Sequence, residues 1–295
     1  MKIRKLVETD LPTVVKLLNK IGPAYGLYEF IPYTQERFFS EIKEDNATIL
    51  VAEDNGIEGF ITLSRGYGEE IRHLCVRFGP KRKEIEDLLV TQIEKEVRGE
   101  KVNLMVSSQS AKIADFVRRG YEVEGGLYHM FTKLNCLCRI PPVPEGYVLR
   151  NLASGEESAL VKVINRAFGW KRIQKGAIEK WIAEGKILDE TWIHVADLKG
   201  EIVSAVVARS VVDYNRYFGA RRGYLGPVAT LPSHTRKGLA TALARRALNF
   251  LFNKGMDSVS LYTSEANIAS VSMFKKQGFK VKHGWKFLHK NLQKH

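Results

Sequence analysis

The chain contains an internal repeat, and this repeat constrains the fold more than any other feature. Three short segments recur in the same order: 15–20 in 161–166, 51–56 in 195–200, and 116–123 in 274–281. Ordered recurrence of this kind predicts two copies of one structural unit. Between the copies lies segment 139–146, RIPPVPEG, whose three prolines cannot continue a helix or a strand. We therefore predict two tandem domains, residues 1–138 and 147–295, joined by the linker 139–146.

The fold class of each copy follows from its apolar patterning. Short apolar runs that indicate strands are interleaved with segments of helical spacing, which predicts a mixed α/β domain. The length of 295 residues allows each of two domains to bury a core of its own.

A basic turn in the second copy has the composition of an anion-binding site. In segment 228–240, VATLPSHTRKGLA, an apolar run ends in this turn directly before a helix. Helix-starting N–H groups lack intrahelical partners and lie at the positive end of the helix dipole. Gly238 and Ala240 leave room for a phosphate, and Arg236 and Lys237 add positive charge. The turn is predicted to bind phosphate, and a merely solvated connection is the alternative.

The net charge lies entirely in the second half of the chain. Residues 1–140 contain 21 Lys+Arg and 21 Asp+Glu, whereas residues 141–295 contain 25 and 12, so the excess is 25 − 12 = +13. Such an excess attracts anionic small molecules or nucleic acid. Because the basic residues are dispersed, we interpret them as a field for an anionic ligand, with nucleic acid as the alternative.

The cysteines and the apolar runs bear on the compartment. Cys75, Cys136 and Cys138 provide no second pair for a zinc site or a disulfide framework, so we expect reduced thiols and no metal. No run approaches the ~18 apolar residues of a membrane span, and the N-terminus lacks a signal-peptide core. A cytoplasmic protein with no membrane partner is expected.

Two segments of the second copy resemble a known family. TRKGLA at 235–240 resembles motif A of the GCN5-related N-acetyltransferases, and NIASVSMFKKQGF at 267–279 resembles their motif B. The tandem arrangement is similar to that of mycothiol synthase. The resemblance implies two acyl-CoA N-acyltransferase-like domains, each a twisted mixed sheet flanked by helices.

The resemblance also implies how acetyl-CoA would bind as the acyl donor. The sheet would splay between its fourth and fifth strands, with the pantetheine arm on the backbone of Val228 and Thr230. Gly226–Pro227 interrupts the strand just before these residues, which predicts a bulge or an unpaired edge there. The pyrophosphate would lie on the N–H groups from Arg236 to Thr241. The implied cofactor residues are Val228, Ala229, Thr230, Thr235, Arg236, Lys237, Gly238, Leu239, Ala240, Thr241, Asn267 and Phe274.

The implied chemistry is direct attack of an amine on the thioester in a ternary complex. The Val228 N–H would stabilise the oxyanion. Many family members have a tyrosine acid where this chain has Phe274, which cannot donate a proton, and Tyr262 is the candidate substitute. Glu265 is the predicted general base. Asp213 and His234 are the alternatives to Glu265.

The first copy is predicted to have lost the cofactor. Aligned on its helix, Arg82–Glu86 replaces Arg236–Ala240, which places two carboxylates, Glu84 and Glu86, where phosphates would approach. One acetyl-CoA site per chain is therefore expected.

The acceptor is an amine, on a small molecule or a protein, that the sequence does not identify. Aromatic residues of the first two helices and of the later strands are candidates for its pocket: Phe168, Trp170, Trp181, Tyr214, Tyr217 and Phe218. Two other functions stay open from sequence, namely a noncatalytic acyl-CoA-binding or regulatory module and a nucleic-acid-associated protein.

Overall fold

The structure, a computed structural model, describes residues 1–22, 28–66 and 68–292, which divide into two compact units. Unit 1 consists of the described residues of 1–127, 264–266 and 283–292, and unit 2 of 128–263 and 267–282. Both units combine a mixed sheet with helices, so the predicted fold class is confirmed. Among the described residues, every helix is too short or too polar to traverse a lipid bilayer.

Unit 1 has five strands from the first copy of the repeat. They are β1 (Lys2–Lys5), β2 (Thr48–Glu53), β3 (Ile57–Ser64), β4 (Glu70–Val76) and β5 (Lys101–Ser107). Strands β1 to β4 are antiparallel neighbours, and β5 runs parallel to β4. The helices are α1 (Leu11–Ile21), α2 (Gln35–Glu44), α3 (Arg82–Lys95) and α4 (Lys112–Arg118).

Among the residues that the structure describes, unit 2 repeats this order and adds one helix. Its strands from the second copy are β7 (Tyr147–Asn151), β8 (Ile193–Leu198), β9 (Glu201–Ser210), β10 (Arg222–Thr230) and β11 (Ser258–Ser264). Its helices are α5 (Glu157–Phe168), α6 (Ala177–Ala183), α7 (Val212–Phe218), α8 (Leu239–Asn253) and α9 (Ile268–Lys276). The added helix is α7, between β9 and β10, whereas the described residues between β3 and β4 (65–66 and 68–69) form no helix.

The last strand of each copy lies partly in the compact unit formed by the other copy. The strand before the linker is β6 (Glu122–Lys133), and its residues from 128 onward belong to unit 2, beside β11. The last strand is β12 (Lys280–Asn291), whose residues from 283 onward belong to unit 1 and pair antiparallel with β5. Each compact unit is thus completed by a strand from the other copy, and the unit boundaries differ from the linker predicted by the sequence.

Each sheet opens between its fourth and fifth strands. In unit 2, β10 and β11 pair only over Arg222–Tyr224 and Ser258–Ser260. Beyond Tyr224, β10 continues to Thr230 and pairs with β9, with a bulge between Leu225 and Val228. The bulge lies at Gly226–Pro227, as the sequence predicts. In unit 1, β4 and β5 pair at just two positions, Glu70 with Asn103 and Ile71 with Leu104.

The core of unit 2 holds the start of α8 in place. One face of α8 is buried in the main apolar cluster of unit 2 and consists of Leu239, Leu243, Ala244, Ala247, Leu248 and Leu251. The helix ends just before Gly255, whose φ of 80° suits the chain reversal there. The predicted apolar helix is therefore present, and its packing fixes the position of the basic turn that precedes it.

In both units, an arginine of the first strand pairs with two carboxylates. Arg150 donates to both carboxylate oxygens of Glu156, at 2.7 and 2.8 Å, and to Asp197 at 2.8 Å. Glu156 also accepts from the Ala153 N–H. These bonds from Arg150 hold the pKa of Glu156 below its usual range. The same network occurs in unit 1, where Arg4 pairs with Asp10 and Glu53 and Asp10 accepts from the Val7 N–H.

Arg150→Met is expected to destabilise unit 2 by about 2 kcal/mol at neutral pH, because it leaves two part-buried carboxylates without their donor. Denaturant unfolding, followed by a probe in unit 2, measures the change. The depressed pKa of Glu156 means that the stabilisation is present above the carboxylate's ordinary pKa and is lost as the pH falls. The difference between the two proteins should therefore shrink below about pH 4. An equal loss at pH 3 and pH 7 would contradict an electrostatic origin.

Candidate functional site

The connection between β10 and α8 forms the basic turn predicted from the sequence. It runs over 231–238, and Arg236 and Gly238 have positive φ angles of 60° and 77°. The first turn of α8 contains no acidic residue. Its N–H groups therefore meet no carboxylate of their own helix, and they have no intrahelical acceptor. A glycine at 238 is favoured because a residue with a Cβ is strained at this φ.

A cavity of about 210 Å³ lies at this turn. Its lining consists of Thr230, His234, Thr235, Arg236, Gly238, Leu239, Ala240, Thr241 and Met273. Seven of the twelve predicted cofactor residues are thus brought together around one concave site. Lys237 is outside this lining, and its Nζ donates to the Tyr147 hydroxyl at 2.9 Å. The same hydroxyl is 2.8 Å from Nδ1 of His234.

The four remaining predicted cofactor residues lie in different environments. Val228 lies on β10 just after the bulge, and Ala229 is buried with its carbonyl accepting from the Ser204 hydroxyl. Asn267 caps α9 by accepting from the Ser270 N–H at 3.1 Å. Phe274 is 2% exposed in the core of unit 2. The cofactor roles of these residues stay predictions.

Unit 1 has a different connection at the corresponding place. The segment between β4 and α3 has five residues, 77–81, against eight in unit 2. The predicted alignment of Arg82 with Arg236 agrees with the buried helix faces, since Ile85, Leu89 and Ile93 then correspond to Leu239, Leu243 and Ala247. Helix α3 simply begins three residues earlier than α8 in this alignment. Glu84 lies in the first turn of α3, and Glu86 accepts from both Arg82 and Lys112 at 3.1 Å. A shorter connection with an acidic first turn supports the prediction that unit 1 has no phosphate site.

A second cavity in unit 2, of about 630 Å³, lies where β9 and β10 meet α7. It is lined by Glu184, Lys186, Arg209, Ser210, Val211, Val212, Asp213, Tyr224 and Tyr262. This is the end of β10 at which the pairing with β11 stops. The cavity therefore adjoins the splay from the side opposite the basic turn.

The predicted acceptor aromatics do not line this cavity as expected. Tyr214, Tyr217 and Phe218 are on helix α7, so their placement on a strand was wrong. The helix forms because Gly219, with a φ of 60°, caps it. Trp181 is buried on α6, whereas Phe168 and Trp170 are exposed and contacted by Arg172.

Tyr262 and Glu265, the predicted acid and base, belong to different units. Tyr262 is 45% exposed, stacks on His129 with ring centroids 4.9 Å apart, and lines the 630 Å³ cavity. Glu265 belongs to unit 1, where both carboxylate oxygens accept from Lys286 Nζ at 2.8 Å. Asp213 lines the cavity with Tyr262, and His234 lines the basic turn.

Arg209 is the site residue that sequence reasoning missed. It follows the buried residues 202–208 of β9, and its guanidinium lies 4.7 Å from the ring centre of Tyr224. Burial lowers the pKa of this guanidinium, and the neighbouring Tyr224 and Glu184 oppose the shift. The sequence pattern that could have indicated this residue is an arginine near the end of an otherwise mainly apolar strand.

Comparison with known proteins supports the family resemblance. Residues 158–279 match the model of the acetyltransferase (GNAT) family. Mycothiol acetyltransferase from Saccharomonospora viridis is 28% identical over 153 residues, which cover 48% of this chain and 48% of that protein. The chain thus spans about half the length of the curated relatives it matches.

Solved structures extend the likeness to the whole chain. A GCN5-related N-acetyltransferase from Sphaerobacter thermophilus has a TM-score of 0.69 at 18% identity, covering 99% of this chain and 96% of that one. A tandem GNAT protein from the clavulanic acid biosynthesis pathway has a TM-score of 0.69 at 14% identity, covering 100% and 99%. At these identities the solved structures establish the tandem fold.

Proposed function

We propose that unit 2, in which residues 158–279 match the acetyltransferase (GNAT) family model, transfers an acetyl group from acetyl-CoA to an amine. The observation that carries the proposal is the concave site formed by the basic turn and the first turn of α8, which has no acidic residue and lies beside the splayed sheet. A site of this kind suits the pyrophosphate of a coenzyme A thioester. The positive charge of the second half favours the same anionic ligand.

The donor would extend from the basic turn along β10. The pyrophosphate is bound by N–H groups between Arg236 and Thr241, assisted by the Arg236 charge. The pantetheine arm pairs with backbone groups of β10 at Val228 and Thr230, in the stretch where β10 has separated from β11. In this arrangement the thioester carbonyl comes to the bulge at Gly226–Pro227.

The chemical step joins the amine nitrogen to the thioester carbon. The Val228 N–H stabilises the negative oxygen of the tetrahedral intermediate, which collapses with cleavage of the carbon–sulfur bond. The amine loses one proton, and the departing sulfur leaves as a thiolate or gains a proton. A thiol with an unperturbed pKa of about 8.5 is a tolerable leaving group, so a proton donor accelerates this step without being essential to it.

Tyr262 is the proposed donor of that proton, because its phenol lines the cavity beside the splay. For the base, Asp213 lines the same cavity, whereas the carboxylate of Glu265 is occupied by Lys286. The geometry of unit 2 by itself thus favours Asp213, one of the two alternatives weighed from sequence, over Glu265. The assignment of Glu265 stays a sequence-based prediction.

Calorimetric titration of the full chain with acetyl-CoA tests the proposal, followed by a screen of amines for release of free CoA thiol. We expect one binding site per chain and turnover with some amines. Binding without turnover of any amine would favour a noncatalytic acyl-CoA-binding module. No binding would overturn the proposal and leave the fold without this activity.

A further inference from the structure

Arg209 has an unusual position for a charged side chain. It lies near the end of β9, and its guanidinium is over the ring of Tyr224 at 4.7 Å and near that of Trp181 at 5.7 Å. The guanidinium forms part of the wall of the 630 Å³ cavity. Contacts with two aromatic rings hold a guanidinium in a fixed plane while leaving its edge available for hydrogen bonds.

The charge of Arg209 is not balanced by an ion pair with any residue that the structure describes. Glu184, an acidic residue of the same cavity wall, pairs instead with Lys186 at 2.6 Å and with Lys180 at 3.9 Å. Arg172 adds further positive charge to the surroundings of Arg209. A partly buried cation in no close ion pair raises the free energy of the empty site, and an anionic ligand would lower it.

The donor's own phosphates are too far away to serve as this counterion. Tyr224, under Arg209, is six residues before Thr230, where the basic turn begins. An extended strand rises about 3.3 Å per residue, so Tyr224 and Thr230 are roughly 20 Å apart. Arg209 therefore faces the acceptor side of the splay, and the basic turn faces the phosphate side.

We propose that the acceptor is an amine that also carries a carboxylate or phosphate, and that Arg209 binds this anion as the specificity-determining residue. The proposal rests on the acetyltransferase function of unit 2. The planar guanidinium suits a two-oxygen anion because it donates two parallel hydrogen bonds. Asp213, in the same cavity wall and in no ion pair among the described residues, supplies the opposite charge for the amine end.

Matched acceptor pairs test the proposal directly. The probes are phenylalanine against phenylalaninamide and O-phosphoethanolamine against ethanolamine, each measured with the wild-type protein, Arg209→Met and Arg209→Lys. We expect the anionic member of at least one pair to have the higher kcat/KM. Its kcat/KM should fall about 10- to 100-fold in Arg209→Met, with the neutral partner changing less than about threefold. The amine of phenylalaninamide is less basic than that of phenylalanine, so more of it is unprotonated and able to attack. Intrinsic reactivity alone therefore favours the neutral member of this pair.

Binding measurements keep the result independent of turnover. Ligand-observed NMR with CoA-loaded protein should show the anionic probes binding to wild type and not to Arg209→Met. The matched control is Arg216→Met, which removes an exposed arginine of α7 outside the cavity lining. Equal behaviour of anionic and neutral probes, or no binding by any probe, overturns the proposal. Calorimetry with acetyl-CoA reports separately on the proposed function.

Discussion

Gly238→Glu is expected to weaken acetyl-CoA binding at least about 100-fold, below detection by calorimetry. The new carboxylate would lie in the basic turn, where it repels the pyrophosphate and takes the space that the phosphate oxygens need. A Cβ at this position meets no atom within 4 Å, so the side chain fits sterically without the ligand. The positive φ of 77° adds a strain of about 1–2 kcal/mol to the folded protein.

Gly255→Glu is the matched control for this change. Gly255 follows the other end of α8, has a φ of 80°, and likewise has open space where a Cβ would lie. Both substitutions therefore carry the same charge and nearly the same backbone strain, and only one is in the turn. Wild-type affinity in Gly255→Glu and no binding in Gly238→Glu would locate the site. Near-normal binding in Gly238→Glu would exclude the basic turn as the phosphate site.

Tyr262→Phe is expected to lower kcat about 100-fold and to leave the affinity for acetyl-CoA unchanged. The physical reason is loss of the proton donor to the departing thiolate, since Phe274 is buried and has no hydroxyl with which to compensate. A general acid must be protonated, so kcat of the wild-type protein should fall at high pH. Steady-state kinetics over a pH series should show that Tyr262→Phe lacks this alkaline limb.

Tyr128→Phe controls for the loss of a hydroxyl elsewhere in unit 2. Tyr128 is partly buried against the core of that unit and lies outside both cavities. Its kcat should stay within about twofold of wild type. If Tyr262→Phe retained the full kcat and the same pH profile, Tyr262 would be a wall of the acceptor cavity and the thiolate would leave without a donor.

The basic turn could be predicted from the sequence because its determinants are local. A glycine with positive φ, two basic residues and an apolar helix face follow one another directly in the chain, and their spacing carries over to three dimensions. The bulge at Gly226–Pro227 was predictable for the same reason. The sequence resemblance added the splay between the fourth and fifth strands, which no local pattern reveals.

The acceptor side could not be predicted because its determinants are tertiary. The short helix α7 resembles a strand when only its aromatic residues are considered, and Arg209 becomes notable only once its ring contacts and its lack of an ion pair are known. The pairing of Glu265 with Lys286 joins positions that are 21 residues apart on different elements. In each of these cases the decisive information is which groups meet, and a single sequence does not contain it.

The exchange of the closing strands could not be predicted from the repeat either, because β6 and β12 are both twelve-residue strands at the ends of similar copies. This exchange has a consequence for fragments of the gene. A gene fragment that ends at the proline-rich linker would encode the first copy without the strand that pairs with β5. The complementary fragment would lack the strand beside β11. The first copy therefore stays necessary to a complete unit 2, because it supplies the strand beside β11.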